Sequence, residues 1–168
     1  AKIVGPSFIG RNTIIGNHTM IRGSHIGQQC VIGFGSDVTR SYIGDMSWLH
    51  MNYVGDSVLG EDVSMGAGTV CANLRLDEAS VESVVKDKKV STLFDKCGAM
   101  IGDHVRIGVH TSIMPGVKIG SHSMIGAGVL LSQDVVEGTF VAVKQNQTIK
   151  KNARSAITKS RDSFRKKI

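Results

Sequence analysis

The chain has 168 residues and a formal net charge of +6, with 20 glycines, two prolines and 5% aromatic residues. This length fits one domain, and apolar runs of only a few residues exclude a transmembrane helix. The three cysteines, Cys30, Cys71 and Cys97, lack the spacing of metal ligands. Reduced thiols of this kind favour a cytoplasmic protein.

An aliphatic repeat begins at Val4 and Ile9 and continues at every fifth or sixth position to Cys71. A second run, with steps of six, extends from Ile101 to Leu131. A small residue usually precedes each aliphatic by two positions, and glycine usually follows it. A period of six fits neither an amphipathic helix nor an alternating strand. It fits a three-sided coil of about 18 residues, with coils stacked as parallel strands about 4.8 Å apart.

This repeat resembles that of the hexapeptide-repeat proteins, whose coils wind left-handed. The resemblance implies an all-β, left-handed parallel β-helix over residues 1–144. Residues 74–98 contain no repeat and are expected to form an excursion loop from the helix. The basic tail, residues 145–168, has a helix-forming composition and is expected to flank the last coil, because an open coil end exposes unpaired strand edges.

Two large side chains, Arg22 and His50, replace the glycine that usually follows the aliphatic residue. Leu49 and Met65 lie three steps apart, so they should occupy one corner on successive coils. His50 is therefore expected beneath residues 66–68, Gly-Ala-Gly, at about the coil spacing. An imidazole beside free backbone N–H groups suits acyl transfer, because it can accept the proton of an amine while the N–H groups stabilise the oxyanion.

The stretch from His50 to Glu78, HMNYVGDSVLGEDVSMGAGTVCANLRLDE, resembles a more specific family. It is similar to the acetyltransferase half of N-acetylglucosamine-1-phosphate uridylyltransferases, above all the archaeal-type bifunctional sugar-1-phosphate nucleotidylyltransferase/acetyltransferases. The resemblance implies acetyl-CoA-dependent N-acetylation of glucosamine 1-phosphate or galactosamine 1-phosphate in nucleotide-sugar biosynthesis. It also implies a homotrimer, with acetyl-CoA between subunits. A nucleotidylyltransferase domain that uses Mg²⁺ is expected before Ala1, and no metal is expected in residues 1–168.

The resemblance also implies a role for individual residues. His50 would be the general base, the N–H of Ala67 the oxyanion donor, and Tyr53 and Asn73 the contacts to the amino sugar. Arg22 and Arg40 would bind the sugar phosphate, since the guanidinium fork suits phosphate. Val109 and Ala127 would meet the pantetheine arm of acetyl-CoA, and Lys144 would meet the CoA phosphates.

Two departures from the family concern the same site. Relatives have a lysine where this chain has Ala79, and Lys86, Lys88 or Lys89 would replace it if the loop folds back. Ser64 occupies a position that is Asn in bacterial members.

Two other functions fit parts of the pattern. The first is a non-catalytic trimerisation or regulatory β-helix of a nucleotidylyltransferase that acts on a sugar 1-phosphate such as glucose 1-phosphate. The second is a γ-type carbonic anhydrase with zinc on three histidines, which the six histidines disfavour because successive gaps of 7, 25, 54, 6 and 12 residues include no pair five apart. His104, His110 and His122 are expected on solvent-facing turns. Neither nucleic acid nor a membrane is expected as a partner.

Overall fold

The computed structural model describes residues 1–153 and confirms an all-β, left-handed parallel β-helix. Seven coils stack into a three-sided prism, and each side is a parallel sheet of two- and three-residue strands. Sheet A contains β1 (Lys2–Val4), β4 (Met20–Arg22), β7 (Asp37–Thr39), β10 (Tyr53–Gly55), β13 (Val70–Cys71), β18 (Ser112–Ile113) and β21 (Leu130–Leu131).

The other two sides are built in the same way. Sheet B contains β2 (Phe8–Ile9), β5 (His25–Ile26), β8 (Tyr42–Ile43), β11 (Val58–Leu59), β16 (Met100–Ile101) and β19 (Lys118–Ile119). Sheet C contains β3 (Ile14–Ile15), β6 (Val31–Ile32), β9 (Trp48–Leu49), β12 (Ser64–Met65), β17 (Arg106–Ile107), β20 (Met124–Ile125) and β22 (Phe140–Val141).

The core is the set of inward aliphatic columns that the repeat predicts. Ile26, Ile43 and Leu59 lie in register on successive strands of sheet B and are fully buried. Burial of one such side chain contributes about 1.5–3 kcal/mol. The predicted start of the repeat at Val4 is wrong, because Ile3 pairs with the inward Ile21 whereas Val4 pairs with Arg22. The step from Ile3 to Ile9 is six, so the first coil keeps the period.

The corner between sheets C and A, hereafter the C–A corner, is one residue shorter at His50 than on the other described coils. Four residues separate the strands at the neighbouring corners, as in residues 33–36 and 66–69, but only three (His50, Met51 and Asn52) separate β9 from β10. The register shows the same loss, since Ile21 pairs with Val38 after 17 residues and Val38 pairs with Val54 after 16.

Between Cys71 and Met100 the chain leaves the prism and returns. The excursion contains an antiparallel hairpin of β14 (Glu82–Val85) and β15 (Lys88–Ser91). The Ser83 hydroxyl donates to the carbonyl oxygen of Gly116 over 2.9 Å, so the hairpin lies against a later coil.

The chain after β22 has no regular secondary structure as far as residue 153. The helix expected in the tail falls mainly on residues 154–168, which lie outside the described residues. Among residues 1–153, no helix has the length and apolarity needed to cross a membrane.

Candidate active site

His50 occupies a position that glycine fills at the other described C–A corners, namely Gly16, Gly33, Gly66, Gly108 and Gly126. A Cβ atom built on four of them, Gly16, Gly33, Gly66 and Gly108, would lie 2.2–2.6 Å from backbone atoms of the next coil. The close stacking of backbones therefore excludes side chains from this column. The His50 corner is the short one, so the missing residue and the permitted side chain occur together.

Asn52 spans the shortened corner. Its side-chain Nδ2 donates to the carbonyl oxygens of Gly66 (2.8 Å) and Thr69 (3.1 Å), and its Oδ1 is buried without a partner among the described residues. The Ser36 hydroxyl donates to the carbonyl oxygen of His50 over 2.7 Å. These hydrogen bonds tie the corner of residues 50–52 to the coils on either side of it.

The side chain of His50 is exposed, and its ring centroid lies 6.0 Å from that of Trp48 on sheet C. Leu49 pairs with Met65, as the repeat predicts, so the 66–68 segment follows His50 on the next coil. The carbonyl oxygen of Ala67 accepts from the N–H of His110 over 3.0 Å, whereas no acceptor within residues 1–153 takes the Ala67 N–H. That N–H is therefore available to a substrate oxygen.

Tyr53 and Asn73 meet on the outer surface of sheet A. A Cβ atom built on Gly55 would lie 2.7 Å from the Tyr53 hydroxyl oxygen and 2.6 Å from Nδ2 of Asn73. The two polar groups thus occupy the space that a side chain at position 55 would fill. Glycine at this position is what allows both groups to approach the strand.

Arg40, Asp56 and Asn73 form a hydrogen-bonded chain across three coils. Nε and Nη2 of Arg40 donate to Oδ1 and Oδ2 of Asp56 over 2.6 and 2.8 Å, and Nδ2 of Asn73 donates to Oδ2 of Asp56. Burial by itself raises the pKa of Asp56, but the hydrogen bonds from Arg40 and Asn73 outweigh it and the net pKa is lowered. The carboxylate is therefore held ionised beside Tyr53.

Arg22 is a strand residue rather than a corner residue, and it is already paired. Its Nη2 lies 2.7 and 2.9 Å from the two carboxylate oxygens of Asp37, which pairs in register with Tyr53. Its Nε is buried and has no partner among the described residues. Both predicted phosphate contacts, Arg22 and Arg40, are thus largely neutralised by aspartates in the protein alone.

Lys96 is a cation of this region that sequence reasoning missed. It lies at the return of the excursion, where it forms an antiparallel bridge with Leu74, and it is exposed. Its charge is among the influences that lower the pKa of Asp56. Across the described chain, no hydrogen bond or ion pair joins Lys86, Lys88 or Lys89 to Asp56 or Asn73, and Lys89 instead lies 3.6 Å from Glu82.

Two of the three residues predicted to meet acetyl-CoA line one cleft further along the C–A corner. Val109 and Ala127 border a cleft of about 440 Å³ together with His110, Gly128, Val143 and Gln145. Ile107 pairs with Ile125, so Val109 and Ala127 lie at equivalent places one coil apart. Lys144 is exposed and lies in the chain between the two lining residues 143 and 145.

The structure therefore arranges the predicted residues in two groups. His50, Ala67, Val109 and Ala127 follow one another along the C–A corner on four consecutive coils. The second group lies on sheet A, away from the C–A corner. Arg22 and Tyr53 are in its strands, and Arg40 and Asn73 follow the ends of two others. In the described part of the chain, no hydrogen bond joins the His50 imidazole to Tyr53 or Asn73. His104, His110 and His122 are exposed at turns with positive φ, as expected.

Comparison with known proteins identifies relatives of the chain. The family model for the bacterial transferase hexapeptide (six repeats) matches residues 98–133, and the model for the hexapeptide repeat of succinyl-transferase matches residues 6–40. A bifunctional sugar-1-phosphate nucleotidylyltransferase/acetyltransferase from Sulfurisphaera tokodaii is 44% identical over 113 residues, which are 67% of this chain and 28% of the relative. A bifunctional protein GlmU from Methanococcus vannielii is 39% identical over 140 residues, which are 83% of this chain and 30% of the relative.

The matched region is only a part of each relative. The chain spans less than a third of the length of either relative. Among solved structures, the acetyltransferase domain of PglB from Neisseria gonorrhoeae FA1090, in complex with acetyl coenzyme A, is similar with a TM-score of 0.50 at 17% identity. That match covers 84% of this chain and 51% of the other, and it supports the fold. The chain belongs to the hexapeptide-repeat transferase family, and its relatives there include archaeal bifunctional sugar-1-phosphate nucleotidylyltransferase/acetyltransferases.

Proposed function

We propose that the chain is an acetyl-CoA-dependent N-acetyltransferase that acts on a hexosamine 1-phosphate, either glucosamine 1-phosphate or galactosamine 1-phosphate. The observation that carries the proposal is the C–A corner, where an exposed imidazole precedes a free backbone N–H and an open cleft on consecutive coils. The names of the relatives, which include acetyltransferase and sugar-1-phosphate nucleotidylyltransferase, support the substrate class.

The reaction needs a base for the amine and a donor for the carbonyl oxygen. His50 has the exposure to take the proton that the sugar amine loses as its nitrogen forms the bond to the acetyl carbon. The Ala67 N–H, one coil further, donates to the acetyl oxygen as that oxygen becomes negative. The C–S bond then breaks, and the thiolate of CoA leaves.

The sugar phosphate would lie on sheet A. Tyr53 and Asn73 offer a hydroxyl and an amide to the sugar hydroxyls, while Arg22 and Arg40 offer charge to the phosphate. Arg40 exposes half of its side chain, 51%, whereas its partner Asp56 exposes only 14%. The exposed part of the guanidinium would meet the phosphate while the pair with Asp56 stays in place, because loss of that pair would leave a mostly buried carboxylate without its partner.

The acyl donor would follow the C–A corner. The cleft of about 440 Å³ beside Val109 and Ala127 is large enough for a pantetheine arm, and Lys144, between the lining residues 143 and 145, would meet the CoA phosphates. Phe34, Trp48 and Met51, near the same corner, expose 59, 53 and 51% of their areas. Such exposed apolar groups beside the site support a homotrimer in which a neighbouring subunit covers the donor.

The complete protein would be bifunctional, with a nucleotidylyltransferase domain that uses Mg²⁺ and couples the acetylated sugar phosphate to a nucleotide. The alternative function, a β-helix that only assembles or regulates such an enzyme, draws support from one observation. The His50 ring forms no hydrogen bond with Tyr53 or Asn73 within residues 1–153. An assembly domain would need neither group.

Acetyl transfer distinguishes the two functions. Release of CoA thiol would be followed with acetyl-CoA and, in turn, glucosamine 1-phosphate and galactosamine 1-phosphate, for the wild-type protein and His50→Ala. We expect release that depends on the sugar and falls by about 10²–10⁴-fold in the variant, the range for loss of a general base.

His25→Ala is the matched control, because His25 is also exposed but lies on sheet B. It should keep wild-type rates. Absence of sugar-dependent release from a folded wild-type protein would reject the transferase and leave the assembly domain.

A further inference from the structure

Asp56 connects two residues of the proposed sugar-phosphate site, yet its own side chain is largely covered. It exposes only 14% of its side chain. Nε and Nη2 of Arg40 donate to its two carboxylate oxygens, and Nδ2 of Asn73 donates to Oδ2 as well. A carboxylate covered in this way acts on a ligand through the groups that are bound to it.

The backbone at position 56 does not require an aspartate. Asp56 has φ 48° and Arg40 has φ 46°, and the equivalent place on the preceding coil is filled by Gly23, with φ 53°. Positive φ favours glycine, although aspartate tolerates it better than most residues do. Since glycine would satisfy the backbone, the carboxylate is what the aspartate adds to this corner between sheets A and B.

The backbone of Asn73 is held in place beside Asp56. The carbonyl oxygen of Asn73 accepts from the N–H of Cys97 over 2.9 Å, and that of Asp56 accepts from the N–H of Gly98 over 2.8 Å. The end of the excursion therefore lies against both residues. What remains to be fixed at Asn73 is the rotation of its side-chain amide.

The carboxylate of Asp56 decides which end of this amide faces outward. Although burial raises the pKa of Asp56, the hydrogen bonds from Arg40 and Asn73 lower it overall. Because an ionised carboxylate only accepts hydrogen bonds, the amide must turn its NH₂ group toward it. Oδ1 of Asn73 then faces away; it has no hydrogen-bond partner among residues 1–153 and keeps its access to solvent. The amide thus presents an acceptor near the Tyr53 hydroxyl.

The same carboxylate sets the direction of the Arg40 guanidinium. Two N–H groups of Arg40 point to Asp56, and Nη1 donates to the Thr39 hydroxyl over 3.2 Å. A guanidinium has five N–H donors, so two remain, one on each Nη. These two can meet a phosphate while the ion pair with Asp56 is intact.

We infer that Asp56 is a positioning residue of the acceptor site, which turns the oxygen of the Asn73 amide toward a sugar hydroxyl and the free N–H groups of Arg40 toward the phosphate. This inference rests on the proposed function, because it assumes that a hexosamine 1-phosphate lies on sheet A. It adds a chemical requirement, since the sugar group that meets Asn73 must donate a hydrogen bond.

Glycine substitutions remove a carboxylate here without strain in the backbone. Asp56→Gly would be compared with Asp62→Gly, because Asp62 also has positive φ (52°) and an arginine partner, Arg106 at 2.7 Å, but lies between β11 and β12 at another corner. Initial rates would be measured with the sugar phosphate and acetyl-CoA varied in turn, for both hexosamine 1-phosphates.

We expect Asp56→Gly to raise the KM for the sugar phosphate about 3- to 30-fold, the effect of one misplaced hydrogen bond, and to leave the KM for acetyl-CoA unchanged. Asp62→Gly should keep both constants. Thermal melts should show that both variants are folded.

An exchange of the two side chains tests the direction of the amide. Asn73→Asp alone would place two carboxylates side by side and should raise the KM for the sugar phosphate at least as much as Asp56→Gly does. Asp56→Asn combined with Asn73→Asp restores the hydrogen bond from amide to carboxylate and again leaves an acceptor at position 73. The double variant should return to within about threefold of the wild-type KM, which support of the fold alone would not require.

The outcomes separate the two proposals. Wild-type transfer with an unchanged or lower KM for the sugar phosphate in Asp56→Gly would overturn the inference and leave the transferase intact. An equal rise in Asp62→Gly, or a double variant no better than Asn73→Asp, would also overturn the inference. A folded wild-type protein without sugar-dependent transfer would overturn both.

Discussion

The charge around Asp56 and Asp37 bears on the proposed binding of the sugar phosphate to sheet A. Arg22 and Arg40 are each paired with an aspartate, so the four side chains together carry no net charge. Lys96 adds one positive charge beside Asp56 and has no ion-pair partner in residues 1–153. A phosphate that approaches this surface would meet the ammonium of Lys96 without first breaking an ion pair.

We therefore predict that Lys96→Met raises the KM for the sugar phosphate about tenfold and leaves the KM for acetyl-CoA unchanged. The magnitude is that of one lost charge-assisted hydrogen bond. Steady-state kinetics with each substrate varied in turn would measure both constants. Lys150→Met, an exposed lysine after the last strand, provides the comparison, and an equal rise in both variants would contradict the prediction.

The sequence was a partial guide at this scale. It pointed to His50 and Tyr53 through the family motif, but it could not show that aspartates neutralise Arg22 and Arg40, because those partners lie 15 or 16 positions away on another coil. Lys96 was missed for a similar reason. It returns to the site from the far end of an excursion that has no repeat.

At the scale of one element, the shortened corner explains how His50 is accommodated. Full-length corners bring the first residue so close to the next backbone that a Cβ atom has no room. Three residues instead of four change the path of the chain, and the two hydrogen bonds from Asn52 hold the shorter path. The sequence contained this signal, since Asn52 interrupts the regular placement of small residues, but a repeat alone does not show what an interruption does to the backbone.

A pair of variants tests this explanation. A glycine inserted between Met51 and Asn52, together with Asn52→Thr, restores a corner like residues 66–69. We expect the change to destabilise the protein strongly when His50 is present and much less in a His50→Gly background, because glycine tolerates the close approach.

Urea unfolding of the four proteins would give the coupling free energy, which we expect to be about 1–3 kcal/mol. Equal costs in the two backgrounds would show that corner length and the side chain at position 50 are independent.

At the scale of the whole molecule, the core is a continuous apolar column along the prism. Cys71 lies in it between Val54 and Ile113, and burial raises the pKa of its thiol from 9.0 to about 12. The aliphatic repeat predicted this column and the parallel register well, because each coil repeats the same packing. The repeat placed the start of the first coil at Val4 instead of Ile3. It also could not predict the hairpin of β14 and β15, because residues 74–98 contain no repeat.

The buried thiol predicts a dependence of stability on pH. The folded state keeps Cys71 protonated, whereas the unfolded chain ionises it above pH 9, so this stabilisation is complete below pH 9 and is lost as the pH rises toward 12. The loss should be about 1.4 kcal/mol for each pH unit in that range.

Denaturant unfolding at pH 8 to 11 would compare the wild type with Cys71→Ala, whose free energy of unfolding should lack this slope. Val54→Ala, in the same column, should lower stability by an amount that does not vary with pH. Parallel curves for the wild type and Cys71→Ala would contradict the prediction.

The stacking of the coils also fixes the distances between residues along the C–A corner. His50, Ala67, Val109 and Ala127 follow one another at intervals fixed by strand pairing, about 4.8 Å each. Duplication of a whole coil between Ala67 and Val109 would lengthen the groove by one interval, and the new coil would repeat the packing of its neighbours. Proteins of this architecture can thus change the length of the molecule they measure by the number of coils, without a new side chain at either end.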